Sequence, residues 1–175
     1  PGPPPPPPTP DVADVVEQVT KSTVLVVAQR GLDPISSGTG WVLDAGDGLI
    51  VTNNHVVQMG TAWTVTMDGD SQPATLVATA PCEDVALLKV RDTQGLETLP
   101  LGSQEKLRLG QAVIALGYPA NAAAQDNLTA TTGVVSVVQE TYDQIDVVDP
   151  PVLTNVVQTD ATINPGNSGG PLVTL

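Results

Sequence analysis

Hydrophobic positions along this chain come in short runs separated by turn residues, and this pattern predicts a protein built from β-strands. Valine, isoleucine, leucine and threonine dominate the runs, and β-branched residues favour strands. Gly, Asp or Pro stands between one run and the next. In the first half of the chain the pattern predicts six strands, which we expect to form one small barrel at 23–90. They lie at 23–29, 42–44, 49–52, 62–67, 73–79 and 85–90.

The second half of the chain contains fewer strand-like runs. The half begins with a connection at 91–110. Strand-like runs follow at 111–116, 128–138, 152–159 and 171–175, and an acidic, proline-containing loop at 140–151 separates the first two runs from the last two. We therefore expect a partial second barrel at 111–175. Because an open barrel leaves unpaired N–H and C=O groups along its edge strands, we expect polypeptide outside residues 1–175 to complete it. That polypeptide is either a C-terminal segment or a strand of a neighbouring molecule.

Two other patterns precede the first strand. Residues 1–10 are mostly proline, which predicts an extended polyproline II linker; a ligand for an aromatic-lined groove is the alternative. At 11–22, Asp11 can cap a helix and valines at 12, 15, 16 and 19 recur at helical spacing, which predicts a short amphipathic N-terminal helix. The chain shows no initiator Met, signal peptide or apolar run of membrane-spanning length. We therefore expect its numbering to start after a removed export or anchor segment.

Composition narrows the classes of function. The formal charge is −13, from 19 acidic and 6 basic residues, which argues against nucleic-acid binding through phosphate neutralisation. Hydrophobic residues make up 41% of the chain, with no Phe, so the core must rest on Val, Leu, Ile and Ala. The single cysteine, Cys82, cannot form an intrachain disulfide, and we expect it to be a small buried residue. We expect no metal and no cofactor.

A serine among glycines, at 166–170 (GNSGG), is the strongest candidate for chemistry. A serine hydroxyl becomes an acyl-transfer nucleophile when a base takes its proton and N–H donors meet the oxyanion that forms. Gly166 can adopt the positive φ that turns backbone N–H groups toward one point. The alternative interpretation of Ser168 and its neighbours is a plain turn before the strand at 171–175.

The base and a carboxylate for Ser168 can also be found. His55 is the only histidine and follows an apolar strand, where a rigid scaffold would present its imidazole. Asp84 stands directly before the strand at 85–90 and fits the carboxylate that orients the imidazole. The alternative interpretation of His55 is a hydrogen-bonded structural histidine, and that of Asp84 is a turn residue at the start of a strand. The neighbouring Glu83 is a second candidate for the carboxylate.

The order His55, Asp84, Ser168 is the order of the chymotrypsin-type triad, whereas subtilisin-like and α/β-hydrolase triads use other orders. Further motifs lie at 37–42 (SGTGWV), 51–57 (VTNNHVV), 84–88 (DVALL), 107–117 (LRLGQAVIALG), 132–136 (TGVVS) and 158–172 (QTDATINPGNSGGPL). In these motifs the chain resembles the HtrA/Deg branch of the trypsin-like serine proteases, over residues 11–175.

The resemblance implies an all-β, chymotrypsin-like fold of two six-stranded β-barrels with a short N-terminal helix, the second barrel being incomplete in this chain. It implies that His55 is the general base, that Asp84 orients it and that Ser168 is the nucleophile. The N–H groups of Gly166 and Ser168 would form the oxyanion hole. Neutral Asn167 stands where proteases activated by cleavage carry an aspartate, so we expect no such activation.

The resemblance also implies a bacterial endopeptidase of the periplasm, the cell envelope or the medium, cutting exposed or unfolded polypeptide through an acyl-enzyme. Uncharged Thr162, Ile163 and Asn164 are the candidate lining of the specificity pocket and favour small or aliphatic residues before the scissile bond. Expected partners are polypeptide substrates and a second copy or strand-completing chain, with membrane contact only through a removed anchor. The alternative is an assembly subunit that keeps the protease fold and whose incomplete barrel is completed by another chain.

Overall fold

The computed structural model of the chain describes residues 10–119, 127–142 and 153–175. Most of the predicted proline linker and of the acidic loop at 140–151 lies outside the described residues. The helices and strands are α1 (Val12–Thr20), β1 (Thr23–Arg30), β2 (Asp33–Asp44), β3 (Leu49–Asn53), α2 (Asn54–Val57), β4 (Ala62–Met67), β5 (Asp70–Ala80), β6 (Val85–Val90), β7 (Ala112–Gly117), β8 (Thr129–Tyr142), β9 (Leu153–Thr159) and β10 (Leu172–Thr174). A short 3-10 helix spans Gln104–Lys106.

The first six strands form a closed antiparallel barrel in the order β1-β2-β3-β6-β5-β4. Strand β1 pairs with β2 on one side and with β4 on the other, which closes the ring. Aliphatic side chains fill the interior, because the chain has no Phe to place there. The buried core consists of Val24, Val26, Val42, Ile50, Val56, Val57, Val65, Ala86, Leu88 and Val90.

The remaining four strands form an open sheet in the order β10-β7-β8-β9. This order repeats β4-β1-β2-β3 of the closed barrel, so the sheet lacks counterparts of β5 and β6 among the described residues. The prediction of one complete and one incomplete barrel is confirmed. Within the described residues, β9 and β10 are the two edges of this sheet.

Helix α1 covers part of the open sheet. Val19 is buried against Ile114 and Leu116 of β7, and the other helical valines pack around them. Asp11 occupies the N-cap position, but its side chain makes no capping hydrogen bond, and only its carbonyl accepts the Val15 N–H at 3.2 Å. Burial of the valine face is therefore the main interaction that holds this helix. No helix in the described ranges is long and apolar enough to cross a membrane.

Strand β2 begins much earlier than the pattern predicts, at Asp33 instead of residue 42. Gly38 and Gly40 look like turn residues in the sequence, yet both are inside the strand. A Cβ at Gly38 would lie 2.7 Å from Val56, and one at Gly40 would lie 2.8 Å from Ile50. These glycines therefore provide space for barrel packing and do not end the strand.

The expectation that Cys82 is buried is wrong. Cys82 is exposed, because it lies in the turn between β5 and β6 and not in a strand. The turn is closed by hydrogen bonds from the Glu83 N–H to the Ala80 carbonyl at 3.2 Å and from the Asp84 N–H to the Pro81 carbonyl at 3.3 Å.

Candidate active site

His55 and Asp84 are in direct contact. His55 lies on α2, immediately after β3, and its Nδ1 is 2.6 Å from Asp84 Oδ2. The backbone N–H of His55 donates to the other carboxylate oxygen, Oδ1, at 2.8 Å. Because a carboxylate can only accept, Nδ1 must carry a proton in this contact, and in the neutral imidazole Nε2 is then the acceptor.

Asp84 is held in an uncommon backbone conformation. Its φ is 53°, in the left-handed region, which costs a non-glycine residue about 1 kcal/mol and is tolerated best by Asp and Asn. Its carbonyl accepts hydrogen bonds from Asn53 Nδ2 at 2.7 Å and from the Asn54 N–H at 3.1 Å. Together with the two bonds to His55, these contacts fix the carboxylate. The rival Glu83 is exposed, and the described contacts do not place it against the imidazole.

Ser168 lies in a loop made of two consecutive β-turns. The Asn167 N–H donates to the Asn164 carbonyl at 3.0 Å, and the Gly170 N–H donates to the Asn167 carbonyl at 2.9 Å. The third residue of each turn is a glycine with positive φ, 99° at Gly166 and 83° at Gly169, as type II turns require. Ser168 occupies the second position of the second turn and is half-buried.

Strand β2 of the first barrel binds the loop at 164–170, which we call the serine loop, in the second sheet. The Thr39 N–H donates to the Ser168 carbonyl at 2.8 Å, and Thr39 Oγ1 donates to the Gly166 carbonyl at 2.7 Å. A Cβ at Gly38 would lie 2.9 Å from the Ser168 carbonyl oxygen and 2.7 Å from Val56, the residue after His55. The His55 helix and the Ser168 loop therefore meet at Gly38.

The predicted pocket residues lie in the segment that leads into the serine loop; they are Thr162, Ile163 and Asn164. All three are exposed, Ile163 by 58%. The Thr162 carbonyl accepts a hydrogen bond from Thr131 Oγ1 at 2.8 Å, which ties the segment to β8. Within the described residues, no strand pairs with the outer edge of neighbouring β9.

The comparison with protein families decides the identity of this fold. The model of the trypsin-like peptidase domain matches residues 38–175, which contain His55, Asp84 and Ser168. The chain belongs to this family. The trypsin-like domain is 43% identical to the mitochondrial serine protease HTRA2 of Bos taurus over 143 residues, which is 81% of this chain and 30% of that protein. It is 37% identical to the serine protease PepD of Mycobacterium tuberculosis over 178 residues, 92% of this chain and 36% of that protein.

A solved structure of the HtrA-type protease AlgW with a tripeptide superposes on the trypsin-like domain with a TM-score of 0.80 at 30% identity. The match covers 94% of this chain and 51% of AlgW, and the chain spans about a third of the length of HTRA2 and PepD. The domain is thus of the HtrA type, and the predicted chymotrypsin-like fold is confirmed.

Three polar residues of this trypsin-like domain were not singled out by sequence reasoning, namely Thr39, Thr52 and Asn53. Thr39 is fully buried and binds the serine loop, while Thr52 Oγ1 donates to the Thr39 carbonyl at 2.7 Å. Asn53 holds the backbone of Asp84. The motifs at 37–42 and 51–57 contain all three, but nothing in a sequence motif shows which backbone group a side chain will reach.

Asn167 is buried in the trypsin-like domain, with only 7% of its surface exposed, and its Oδ1 has no hydrogen-bond partner among the described residues. Its side chain packs against Gly117, where a Cβ would lie 2.8 Å from Oδ1. A charged side chain at this site would have no counter-ion among the described contacts.

We expect Asn167→Asp to be less stable than the parent, by about 3 kcal/mol at neutral pH, because it buries an uncompensated carboxylate. Burial raises the pKa of such a carboxyl above its unfolded value of about 3.9, so the folded state holds its proton longer. The loss of unfolding free energy is therefore absent well below about pH 4, and it grows as the pH rises above about 4. Denaturant unfolding at several pH values measures this, with the exposed Asn164→Asp as control. An equal and pH-independent stability of the two variants would contradict it.

Proposed function

We propose that this HtrA-type domain is a serine endopeptidase that cuts exposed polypeptide through an acyl-enzyme intermediate. Ser168 acts as the nucleophile, His55 as the general base and Asp84 as the carboxylate that orients the imidazole. The observation that carries the proposal is the contact between His55 Nδ1 and Asp84 Oδ2 at 2.6 Å, on a helix that meets the serine loop at Gly38. This contact leaves Nε2 free to accept the Ser168 proton.

The reaction follows from these positions. Ser168 Oγ attacks the scissile carbonyl as His55 takes its proton, and Asp84 stabilises the imidazolium that forms. His55 then returns the proton to the leaving amine, so that the peptide bond breaks and an ester to Ser168 remains. Water, activated by His55, hydrolyses this ester and releases the enzyme.

The N–H groups of Gly166 and Ser168 form the proposed oxyanion hole. In the serine loop the N–H groups of Asn167 and Gly170 are used within the two turns, whereas those of Gly166 and Ser168 have no partner among the described residues. Free, preorganised donors are what a developing oxyanion needs, because they stabilise charge that appears only in the transition state.

The segment before the serine loop and the relatives of the domain support a substrate class and a location. Exposed, uncharged Thr162, Ile163 and Asn164 favour a small or aliphatic side chain before the scissile bond. Two relatives are probable periplasmic DegP-like endoproteases, one from Chlamydia pneumoniae at 40% identity and one from Bartonella henselae at 37%. We therefore propose an extracytoplasmic bacterial enzyme that acts on exposed or unfolded polypeptide.

The proposal is tested by covalent labelling. A fluorophosphonate should modify Ser168 of the parent protein, because the reagent needs an activated serine hydroxyl. The Ser168→Ala variant should not be labelled at all, and Ser103→Ala, which removes an exposed serine outside the serine loop, should be labelled like the parent. Peptide mapping by mass spectrometry locates the adduct. Equal labelling of the Ser168→Ala variant would refute the proposed nucleophile.

The open second sheet favours one alternative function, that of an assembly subunit. A groove of about 630 Å³ runs beside β10, lined by Val15 and Val19 of α1, by Trp41 and Leu99, and by the exposed Leu172. An added strand from another chain would pair with the edge of β10 and fill this groove with alternate side chains. The native mass decides between the functions when it is combined with labelling. A labelled monomer of 17.9 kDa supports the endopeptidase, and an unlabelled polymer supports the assembly role.

A further inference from the structure

Thr39 is a buried threonine that connects the first barrel to the serine loop through hydrogen bonds. Its side chain is fully inaccessible to solvent. Its hydroxyl donates to the Gly166 carbonyl at 2.7 Å and accepts the Tyr118 N–H at 2.9 Å. Its backbone N–H donates to the Ser168 carbonyl at 2.8 Å, and its carbonyl accepts from Thr52 Oγ1 at 2.7 Å. Every polar atom of Thr39 therefore has a partner, and two of these partners belong to the serine loop.

The two loop carbonyls that Thr39 binds lie on either side of the nucleophile. They belong to the peptide groups that follow Gly166 and Ser168, while the N–H groups proposed for the oxyanion hole belong to the peptide groups that precede the same residues. Glycines at the third position of each turn, Gly166 and Gly169, permit wide rotation of the neighbouring peptides. When Thr39 binds the carbonyls of Gly166 and Ser168, this rotation is restricted. The N–H groups of the same two residues are then held in place.

The packing around Thr39 leaves the loop few other positions. A Cβ at Gly169 would lie 2.2 Å from the Thr39 carbonyl oxygen, and one at Gly170 would lie 3.2 Å from Thr39 Cγ2. The loop thus rests directly on this residue of β2, 127 positions away in sequence from Gly166.

We propose that Thr39 is a positioning residue for catalysis, whose hydroxyl holds the serine loop of the second sheet against the first barrel. The inference rests on the proposed function, because it requires that Gly166 and Ser168 form the oxyanion hole. Loss of the hydroxyl leaves the Gly166 carbonyl and the Tyr118 N–H unpaired in a buried position, and the loop then turns to find other partners.

Thr39→Val tests this role, because valine keeps the branched shape of threonine and has a methyl group in place of the hydroxyl. We expect kcat for a peptide substrate to fall by about 10²-fold, as for the loss of an oxyanion donor, while KM changes by less than about threefold. The matched control is Thr23→Val. Thr23 is also fully buried and also donates its hydroxyl to a carbonyl, that of Val19 at 2.9 Å, but it does not contact the serine loop. The control variant should keep the kcat of the parent.

A second pair of variants removes the dependence on the folding of Thr39→Val. Thr39→Ser and Thr39→Ala both lose Cγ2 and differ only in the hydroxyl. We expect the serine variant to retain kcat within about threefold and the alanine variant to lose at least about tenfold, at equal KM and with an unchanged pH profile.

The outcomes separate the two proposals. In one outcome the parent is labelled and active, while the serine and alanine variants, or the two valine variants, have equal kcat values. This result overturns the role of Thr39 and leaves the proposed endopeptidase unaffected. A parent that neither cleaves peptide nor reacts with a fluorophosphonate overturns both. A selective loss of kcat in Thr39→Val and Thr39→Ala supports the role of Thr39.

Discussion

Asp84→Asn should lower kcat by about 10⁴-fold without unfolding the protein. The two oxygens of Asp84 have separate partners, the backbone N–H and Nδ1 of His55. Asparagine has only one oxygen, and when it accepts the backbone N–H, the amide NH₂ group faces Nδ1. The ring proton must then move to Nε2, which can no longer take the proton of Ser168. Steady-state kinetics on a peptide substrate measures the loss.

The same change at Asp68 provides the control. Asp68 also has a left-handed backbone, with a φ of 50°, in the turn between β4 and β5. Asparagine tolerates this conformation as well as aspartate does, so both variants should fold. Asp68→Asn removes a charge that, together with the larger effect of burial, raises the pKa of Tyr118, and it should leave kcat unchanged. A similar kcat for the two variants would show that Asp84 has no special role.

Gly169→Ala should be the most destabilising of the substitutions discussed, by about 3 kcal/mol or more. Its Cβ would lie 2.2 Å from the Thr39 carbonyl oxygen and 2.4 Å from Thr52 Oγ1, and the φ of 83° already strains any side chain. Relief of the clash requires the serine loop to leave β2, so reactivity toward a fluorophosphonate should fall with stability. Denaturant unfolding, followed by the signal of the two tryptophans, measures the first effect.

Gly31→Ala is the matched control for the backbone contribution. Gly31 has a φ of 65°, and no atom lies within 4 Å of the position that a Cβ would take, so its substitution introduces strain without a clash. We expect a loss of about 1 kcal/mol and unchanged labelling. If Gly169→Ala were no less stable than Gly31→Ala, the close packing of the loop on Thr39 would be disproved.

The fold could largely be predicted because its determinants are local. Alternation of apolar runs with turn residues marks most of the strands, and the valines of α1 mark its buried face. Strand β2 was mostly missed, because Gly38 and Gly40 suggest turns unless one knows that Val56 and Ile50 press against them. The burial of Cys82 was predicted wrongly for a related reason, since the turn before β6 is made by contacts that the sequence does not display.

The candidate site also has a part that the sequence predicts and a part that it does not. His55 and Ser168 could be proposed from the sequence because the chain has one histidine and one serine among glycines. Their support could not be predicted. The bond from Thr39 to Gly166 spans 127 positions, and the bond from Asn53 to the Asp84 carbonyl spans 31. Such bonds depend on how the first barrel and the second sheet meet, and that arrangement follows from the whole fold.

A crystal structure of the protein after reaction with a fluorophosphonate would test the proposed triad and oxyanion hole together. We predict phosphorus bonded to Ser168 Oγ, with one phosphonyl oxygen about 2.7–3.1 Å from the backbone nitrogens of Gly166 and Ser168. His55 Nε2 should lie about 2.6–3.2 Å from Ser168 Oγ, or from the phosphonyl oxygen that takes the place of the leaving group. His55 Nδ1 should still be hydrogen-bonded to Asp84. An adduct on another residue, or an imidazole turned away from Ser168 with the phosphonyl oxygen facing solvent, would contradict the proposed mechanism.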